Sequence, residues 1–525
     1  MTVLRSSTQP SIVSLPEALP STRPWRTGAL TLIGVMTILR FAGAASTELT
    51  DTEGYYVSWS RFPDWSYYDH PPMVAWMTWL TTRVSHSALH ARIVPVLCAG
   101  LAEALLFQLG ARLFSERVAF LAVGLHVAIP AYFFTALLVN PEATLAPSWL
   151  LALLLLDDLR RHREATRPLW LGAAIGLAFL SKYTAVLLVP VTLLVVIASS
   201  GARHWLTRPS FYAGGLVALA IASPVALWNA YHGWPSLELH LVERVAPPSA
   251  LEMLERSGGV AAGQLVLFHP AIVPLLLGGA AVVAVRARHD ARHRFLALAS
   301  LPVLAFLATA MLRVRDAEPH WTMVGFLPLL IGAAVLLDEL LARAPRLATT
   351  YAAACAAATF VLIAATFVHA LTGTFERTLP HVVYDGSRDA VHETLGWTEL
   401  RAAIDRAGRH LGPRVVVAAA HNVFCGHLLV ELDDRPEVYC PSVRRTQFDF
   451  IGRGEPPVDG PVLFIEASRD GALRAAAMRG RVCTRVDHLE IARGETEASR
   501  YEIFACEVVG SGDASLAPGR LDPAR

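Results

Sequence analysis

Lysine is almost missing from this 525-residue chain: 44 of its 45 Lys and Arg residues are arginine, and Lys182 is the single lysine. Charge of either sign is scarce, since 17% of the residues are charged and 54% are hydrophobic, against roughly 25% and 45–50% in soluble domains. A purely soluble enzyme is therefore excluded. The net charge of +1 argues against nucleic acid as the main partner, because binding to phosphate backbones needs a basic field.

Metal motifs and the features of a secretory leader are also not evident in the sequence. No H-E-x-x-H or C-x-x-C spacing occurs, so we predict no metal site of that kind, although a divalent cation shared with a phosphate needs only one or two carboxylates. The first 27 residues are polar and rich in proline, and no small-residue cleavage site follows the first apolar run. We therefore expect no signal peptide.

Long apolar runs are abundant instead. About 20 apolar residues span the hydrocarbon core of a bilayer, and we predict about eleven such helices, at 28–47, 91–111, 118–138, 144–156, 168–181, 184–199, 211–228, 263–285, 295–312, 321–337 and 347–371. With a cytoplasmic N-terminus, the cytoplasmic segments hold 17 basic residues and the opposite segments hold seven. Positive residues favour the cytoplasmic side, so this orientation is predicted, with the C-terminal region extracytoplasmic.

Charged residues return near residue 373. Short β-like runs at 414–420, 461–466, 481–486 and 501–508 alternate there with helical stretches at 398–410 and 469–479. This alternation predicts a soluble α/β domain over 373–513. It would follow a membrane domain over 1–372 and precede a disordered tail over 514–525.

Four of the six cysteines lie in the predicted α/β domain, where an extracytoplasmic location permits disulfides. Four cysteines allow three pairings. Because each pair would bracket one local segment, we predict Cys425–Cys440 and Cys483–Cys506. The two remaining cysteines lie in apolar runs and are interpreted as core residues.

The first external loop, residues 48–90, is the most informative segment. Connections between helices are usually a few residues long, yet residues 48–69 alone carry five carboxylates and six Tyr and Trp side chains. Acidic and aromatic side chains beside a bilayer suit a polar substrate next to lipid. The aromatic side chains alone would also fit an interfacial belt.

A series of sequence strings resembles a known family. Residues 47–56 read TELTDTEGYY, 59–61 read WSR and 67–72 read YYDHPP; further strings are YFF at 132–134, NPE at 140–142, GLAFLSKYT at 176–184, WNAYHGW at 228–234, His240, Glu243, Arg244 and PHW at 319–321. Over roughly residues 28–340 they resemble bacterial glycosyltransferases related to protein O-mannosyltransferases and lipid A aminoarabinose transferases. RTQFDF at 445–450 is a weaker echo. The resemblance implies a multi-pass helical membrane protein of the GT-C fold that uses a polyprenyl-phosphate sugar.

The resemblance also implies direct, inverting displacement. Polyprenyl phosphate is a competent leaving group, so the enzyme must deprotonate an acceptor hydroxyl and stabilise the departing phosphate. The base is expected among four carboxylates, with the first two foremost: Glu53, Asp51, Asp69 and Glu142. The donor phosphate is expected to bind Lys182, Arg244 and His320. Substrate contacts are expected from Tyr55, Tyr56, Tyr67, Tyr68 and His70.

Two positions depart from the family pattern. The family shows an adjacent Asp-Glu pair before the two tyrosines, whereas this chain has Thr52 in the first place, with Asp51 one residue earlier and Glu53 in the second place. The aspartate that usually follows the third-span proline is here Glu142, which is one methylene longer. A carboxylate stays close in both cases, and which of them is the base is left open.

These residues also have structural interpretations. Lys182 fits a snorkelling anchor at the end of a span, and Glu142 fits the N-cap of the fourth span. Asp69 fits a fixed turn before two prolines. Arg244 and His240, four residues apart, fit one face of an ordinary interfacial helix.

A transporter is the alternative function. Transporters place ionisable residues near the bilayer midplane and show repeated halves, whereas here the ionisable residues cluster in external loops and no repeat is evident. A membrane-anchored binding module would not require eleven spans. We therefore predict an inner-membrane glycosyltransferase whose active site faces outward, acting on a hydroxyl of a lipid, a glycan or a protein. The sugar stays open.

Overall fold

The computed structural model describes residues 23–245, 248–315, 317–379, 389–467, 474–493 and 496–508. The predicted tail over 514–525 lies outside these residues. A helical membrane part comes first, and an α/β part follows the helix that ends at Thr372.

The membrane part consists of helices that often begin at a proline or a capping side chain. Ser87 and Asn140, for example, accept hydrogen bonds from backbone amides that open the fourth and seventh helices, as N-caps do. The helices are α1 (Arg23–Ala44), α2 (Asp51–Trp59), α3 (Met73–Thr82), α4 (Ala88–Leu113), α5 (Glu116–Ala128), α6 (Pro130–Thr135), α7 (Pro141–Arg161), α8 (Arg167–Ser181), α9 (Leu188–Ala198), α10 (Pro209–Tyr231), α11 (Pro235–Glu238), α12 (Ala250–Phe268), α13 (Val273–Arg286), α14 (Ala291–Arg313), α15 (Met323–Arg343) and α16 (Pro345–Thr372).

The predicted count of eleven spans is not confirmed. By length and composition, six helices of the described chain can cross a bilayer, namely α1, α4, α10, α14, α15 and α16, and the bent pair of α12 and α13 makes a seventh if it is one span. The predicted run 118–138 breaks at Pro130 into α5 and α6, because proline lacks the backbone N–H that would continue a helix. Helix α8 and the stretch Tyr183–Ala198 are apolar but short.

Glycine permits close helix packing where α8 crosses α10. Gly172 on α8 and Gly214 on α10 face each other, and a Cβ added to Gly172 would lie 1.9 Å from the Gly214 carbonyl oxygen. Small residues let helix backbones approach in membrane proteins. This contact holds α8 against α10.

The α/β part has α17 (Thr374–Thr378), α18 (Trp397–Leu411), α19 (Asn422–Glu431), α20 (Gln447–Phe450) and α21 (Arg474–Ala477), with strands β1 (Val416–Ala418), β2 (Val438–Tyr439), β3 (Val462–Ala467), β4 (Arg481–Arg493) and β5 (Thr496–Val508). The strands form one sheet in the order β2-β1-β3-β5-β4. β1 is parallel to β2 and β3, and β5 is antiparallel to β3 and β4. The predicted α/β character is confirmed. The two residues of β2 are too few for a sequence pattern to show.

Both predicted disulfides are confirmed. Cys425 on α19 pairs with Cys440 just after β2, and Cys483 on β4 pairs with its cross-strand neighbour Cys506 on β5. The bonds therefore tie a helix to the sheet and close the two-stranded edge.

The α/β part docks on the loop 48–90 through α19 and α2. A Cβ on Gly54 would lie 2.6 Å from the His427 Cα, and a Cβ on Gly426 would lie 2.6 Å from the Tyr55 Cα. Only glycine permits this approach of two backbones. The loop and the α/β part consequently share one hydrophobic core, to which Tyr55, Trp397 and Leu428 all belong.

Candidate active site

The loop 48–90 folds into α2 and α3, with the YYDHPP turn between them. Tyr67 of this turn stacks on Trp59, with ring centroids 4.7 Å apart, and its hydroxyl donates to the Trp59 carbonyl at 3.1 Å. Tyr67 is 0% exposed, so it supports the turn from inside the core. This position argues against the predicted substrate contact of Tyr67.

Asp69 lies in a polar group formed by the same turn. The Tyr55 hydroxyl donates to its carboxylate, and the His240 ring bonds to its backbone carbonyl at 2.8 Å. Burial raises the pKa of the Asp69 carboxyl above its ordinary value, while the Tyr55 hydrogen bond and the Arg244 charge oppose the rise. The predicted turn exists, and it also presents a carboxylate with increased proton affinity beside a cation.

Two neutral histidines accompany Asp69. The ring of His70 lies 5.9 Å from that of Tyr56 and 6.2 Å from that of His240, centroid to centroid. Burial and the Lys182 charge lower the pKa of His70, and burial lowers the pKa of His240 to about 4. Both imidazoles are therefore neutral at neutral pH and add no positive charge to this group.

A second group contains the single lysine. Lys182 follows the last turn of α8, and its ammonium forms an ion pair with Glu142 in the first turn of α7. His320 Nε2 lies 2.8 Å from the same Glu142 oxygen, and its Nδ1 lies 2.9 Å from Glu318. The Lys182 side chain is 9% exposed, which is contrary to a snorkelling anchor. The N-cap of α7 is Asn140, so Glu142 does not cap the helix.

Tyr56 lies between the two groups. Burial raises the pKa of Tyr56, the charges of Glu142 and Asp69 raise it further, and Arg244 lowers it. The Arg244 guanidinium also lies 5.6 Å from the centre of the Trp321 ring. Nine of the twelve predicted residues thus meet in one cluster, called here the Lys182 cluster: Asp69, Glu142, Lys182, Arg244, His320, Tyr55, Tyr56, Tyr68 and His70.

Glu53 lies outside the Lys182 cluster. One of its oxygens accepts from Arg92 Nε at 2.8 Å and the Val139 amide at 3.0 Å, and the other from Arg92 Nη2 at 2.6 Å and the Thr50 amide at 3.0 Å. A carboxylate offers about four lone-pair sites, so no site is left for a substrate hydroxyl. The structure argues against Glu53 as the base, because the carboxylate is fully used in holding α2 to α4.

Asp51 faces the α/β part instead of the cluster. Its carboxylate lies 3.3 Å from His427 Nδ1 on α19. The His427 ring stacks on Trp397, with centroids 3.4 Å apart. Asp51 therefore belongs to the docking surface between α2 and α19.

Sequence reasoning missed several residues at this site. The Gln447 side chain accepts the Tyr68 amide hydrogen bond at 2.7 Å, and Phe450 stacks on Tyr68 with centroids 5.5 Å apart. Phe450 also packs 5.2 Å from Trp228 of α10. The weak echo at 445–450 contains Gln447 and Phe450, and the string at 228–234 contains Trp228. Their contacts place α20 of the α/β part against Tyr68 and α10.

One group of side chains that could hold a metal ion lies elsewhere. Within the described residues, His369, Glu376 and Asp389 place ligand atoms within 4.8 Å of one another. They lie where α16 passes into the α/β part, and none belongs to the Lys182 cluster. Their spacing follows no metal motif, so sequence patterns did not show them.

Comparison with known proteins agrees with the motif resemblance. A family model described as dolichyl-phosphate-mannose-protein mannosyltransferase matches residues 69–228, which include Asp69, Glu142 and Lys182. Lipid A galacturonosyltransferase RgtD of Rhizobium johnstonii is 26% identical over 288 residues, or 54% of this chain. The match spans 59% of the length of RgtD.

Solved structures of similar shape include ArnT from Cupriavidus metallidurans. In the apo state it superposes with a TM-score of 0.60 and 18% identity, over 91% of this chain and 98% of ArnT. The structure of ArnT bound to undecaprenyl phosphate superposes with a TM-score of 0.58 and 17% identity, over 95% of this chain and 100% of ArnT. The chain therefore has the GT-C fold, and its resemblance to glycosyltransferases related to lipid A modification enzymes is confirmed.

Proposed function

We propose that this protein transfers a sugar from a polyprenyl phosphate to a hydroxyl of a lipid A-type acceptor. The Lys182 cluster carries the proposal, because three cationic or basic side chains lie beside two carboxylates in a chain with the fold of ArnT. Cations beside carboxylates suit transfer from a phosphate to a hydroxyl. The named activity of RgtD and the undecaprenyl phosphate bound to ArnT support the choice of acceptor and donor.

Lys182, His320 and Arg244 are the proposed donor-phosphate site. Lys182 and His320 converge on one oxygen of Glu142, and phosphate oxygens would accept the same hydrogen bonds. Charge on the leaving phosphate would be stabilised more strongly here than in water, because the site is largely dehydrated. Glu142 acts as a positioning residue that keeps the two basic groups together.

Asp69 is the proposed base. Its carboxylate accepts the proton of the acceptor hydroxyl as that oxygen forms a bond to the anomeric carbon. The bond from the anomeric carbon to the phosphate oxygen breaks, the electron pair leaves with the phosphate, and the anomeric configuration inverts. The increased proton affinity of Asp69 favours this role, since a base works best when its pKa approaches the working pH.

The active site is proposed to lie on the extracytoplasmic side of the inner membrane. The α/β part packs on the first external loop, so both belong to one side. The loops on the opposite side of the membrane carry the excess of arginine, which favours the cytoplasm for that side. The two disulfides of the α/β part suit an oxidising compartment.

The test uses protein purified in detergent with a short-chain polyprenyl-phosphate sugar and lipid A. We expect glycosylated lipid A by mass spectrometry, loss of product in Asp69→Asn and Lys182→Ala, and no need for a gradient. A transporter would yield no covalent product. Absence of product with every donor sugar and acceptor class tried, from folded protein, would overturn the proposal.

A further inference from the structure

A polar cleft lies at the far end of the helices that carry the Lys182 cluster. Helix α7 begins beside Glu142 and ends at Arg161. Its 21 residues extend about 30 Å at 1.5 Å per residue, which is about the thickness of the hydrocarbon core. The cleft at that end has a volume of about 600 Å³. It therefore faces the opposite membrane surface.

Arginine dominates the walls of this cleft. Six arginines from four segments line it: Arg112 at the end of α4, Arg160 and Arg161 at the end of α7, Arg203 after α9, and Arg292 and Arg294 at the start of α14. The turn 199–201 forms the remaining wall. Arginines distant in sequence thus converge on one space, beyond what a preference for positive loops requires.

Carboxylates neutralise only part of this charge. Asp157 pairs with Arg160 at 3.2 Å and with Arg161 at 2.7 Å. Asp158 pairs with Arg112 at 2.6 Å, and Asp290 pairs with Arg292 at 2.7 Å. Three carboxylates against six guanidinium groups leave an excess of about three positive charges. Among the residues the structure describes, Arg203 and Arg294 have no carboxylate within 4 Å.

We propose that the cleft, here named the arginine cleft, binds the phosphate of an anionic phospholipid. Guanidinium groups match phosphate oxygens in a forked geometry, and basic pockets between membrane helices bind anionic headgroups. The apolar surface beside the cleft favours a lipid over a soluble anion. Leu193, Leu194 and Ile197 on the last turns of α9 are 40%, 39% and 53% exposed and can contact acyl chains.

The experiment measures binding of phosphatidylglycerol to delipidated protein in neutral detergent, by native mass spectrometry and by thermal unfolding. Phosphatidylglycerol should bind and raise the unfolding temperature, whereas phosphatidylcholine and pyrophosphate should not. The double variant Arg203→Ala/Arg294→Ala should bind roughly 30-fold more weakly, at about 1 kcal/mol for each arginine. Neither arginine has a carboxylate partner, so the fold should survive.

The matched control is Arg288→Ala/Arg346→Ala, which removes two exposed arginines from the same end of the helices but outside the cleft. It should bind phosphatidylglycerol like the wild type. Equal weakening in both double variants would show diffuse surface charge and overturn the proposal. Wild-type affinity in Arg203→Ala/Arg294→Ala would also overturn it, and equal stabilisation by pyrophosphate would assign the cleft to a soluble anion.

Discussion

Replacing Glu53 by glutamine should destabilise the protein while its chemistry persists. The Glu53 and Arg92 side chains are each 1% exposed, and they form a two-pronged ion pair. Glutamine keeps the shape, but its amide nitrogen would face a donor, and Arg92 would lose its counter-charge. Removing one partner of a buried ion pair costs about 3–5 kcal/mol, a large part of the roughly 5–15 kcal/mol that stabilises a typical domain.

Two measurements on the same preparations separate stability from chemistry. Glu53→Gln should unfold at a lower temperature, and its turnover per folded molecule, measured in the cold, should stay near that of the wild type. Asp69→Asn is the matched carboxylate-to-amide control. It should unfold close to the wild type, while its turnover falls by the roughly 10²–10⁴ typical of a lost general base.

The opposite pattern would refute this reasoning. A Glu53→Gln protein with wild-type unfolding and no turnover would make Glu53 the base. Arg92→Gln adds an independent check, because the double variant with Glu53→Gln should be little less stable than either single variant. Partners in one ion pair are coupled in this way, whereas independent sites are additive.

Three further predictions concern Lys182, the docking glycine and the pH profile. Lys182→Ala should abolish donor use in kinetic assays, and Lys182→Arg should recover only part of it, since the planar guanidinium does not fit a narrow ammonium site; full activity in Lys182→Arg would contradict this. Gly426→Ala should loosen the packing of the α/β part on α2 and make the protein more sensitive to limited proteolysis, because the added Cβ would lie 2.6 Å from the Tyr55 Cα. Gly408→Ala should not, because the nearest neighbour of its added Cβ is 3.5 Å away. Burial raises the pKa of Asp69, and a base must be deprotonated to act. As the pH decreases, turnover should therefore begin to fall at a pH above the ordinary pKa of aspartate. A pH–rate profile that falls only at the ordinary aspartate pKa would count against Asp69.

The motif strings contain most of the residues that meet in the Lys182 cluster, but they did not show which carboxylates are already engaged by other side chains. Asp51 and Glu53 precede the tyrosine pair in the family string, which favoured them as bases. In the structure, Glu53 is bound by Arg92, which is 39 residues away in the sequence. Asp51 lies beside His427, which is 376 residues away. Neither partner stands in a recognisable motif, so no local pattern could show that these carboxylates are occupied.

The number of spans shows a similar limit. Apolar runs identify buried segments, yet they do not show whether a helix is continuous. The run 118–138 is apolar on both sides of Pro130, yet α5 ends at Ala128 and α6 begins at Pro130. The pairings Cys425–Cys440 and Cys483–Cys506 were predictable because each bond closes a short local segment.

The sequence by itself determined the properties that depend on composition and local order: a helical membrane part, an α/β part with two local disulfides, and an acidic, aromatic first loop. These follow from hydrophobicity and from neighbours along the chain. Only the tertiary structure decided which carboxylates face cations, because hydrogen-bond saturation depends on groups from distant helices. It also decided that the α/β part packs against α2, since Gly54 and Gly426 let two backbones meet, and that six arginines converge on one cleft.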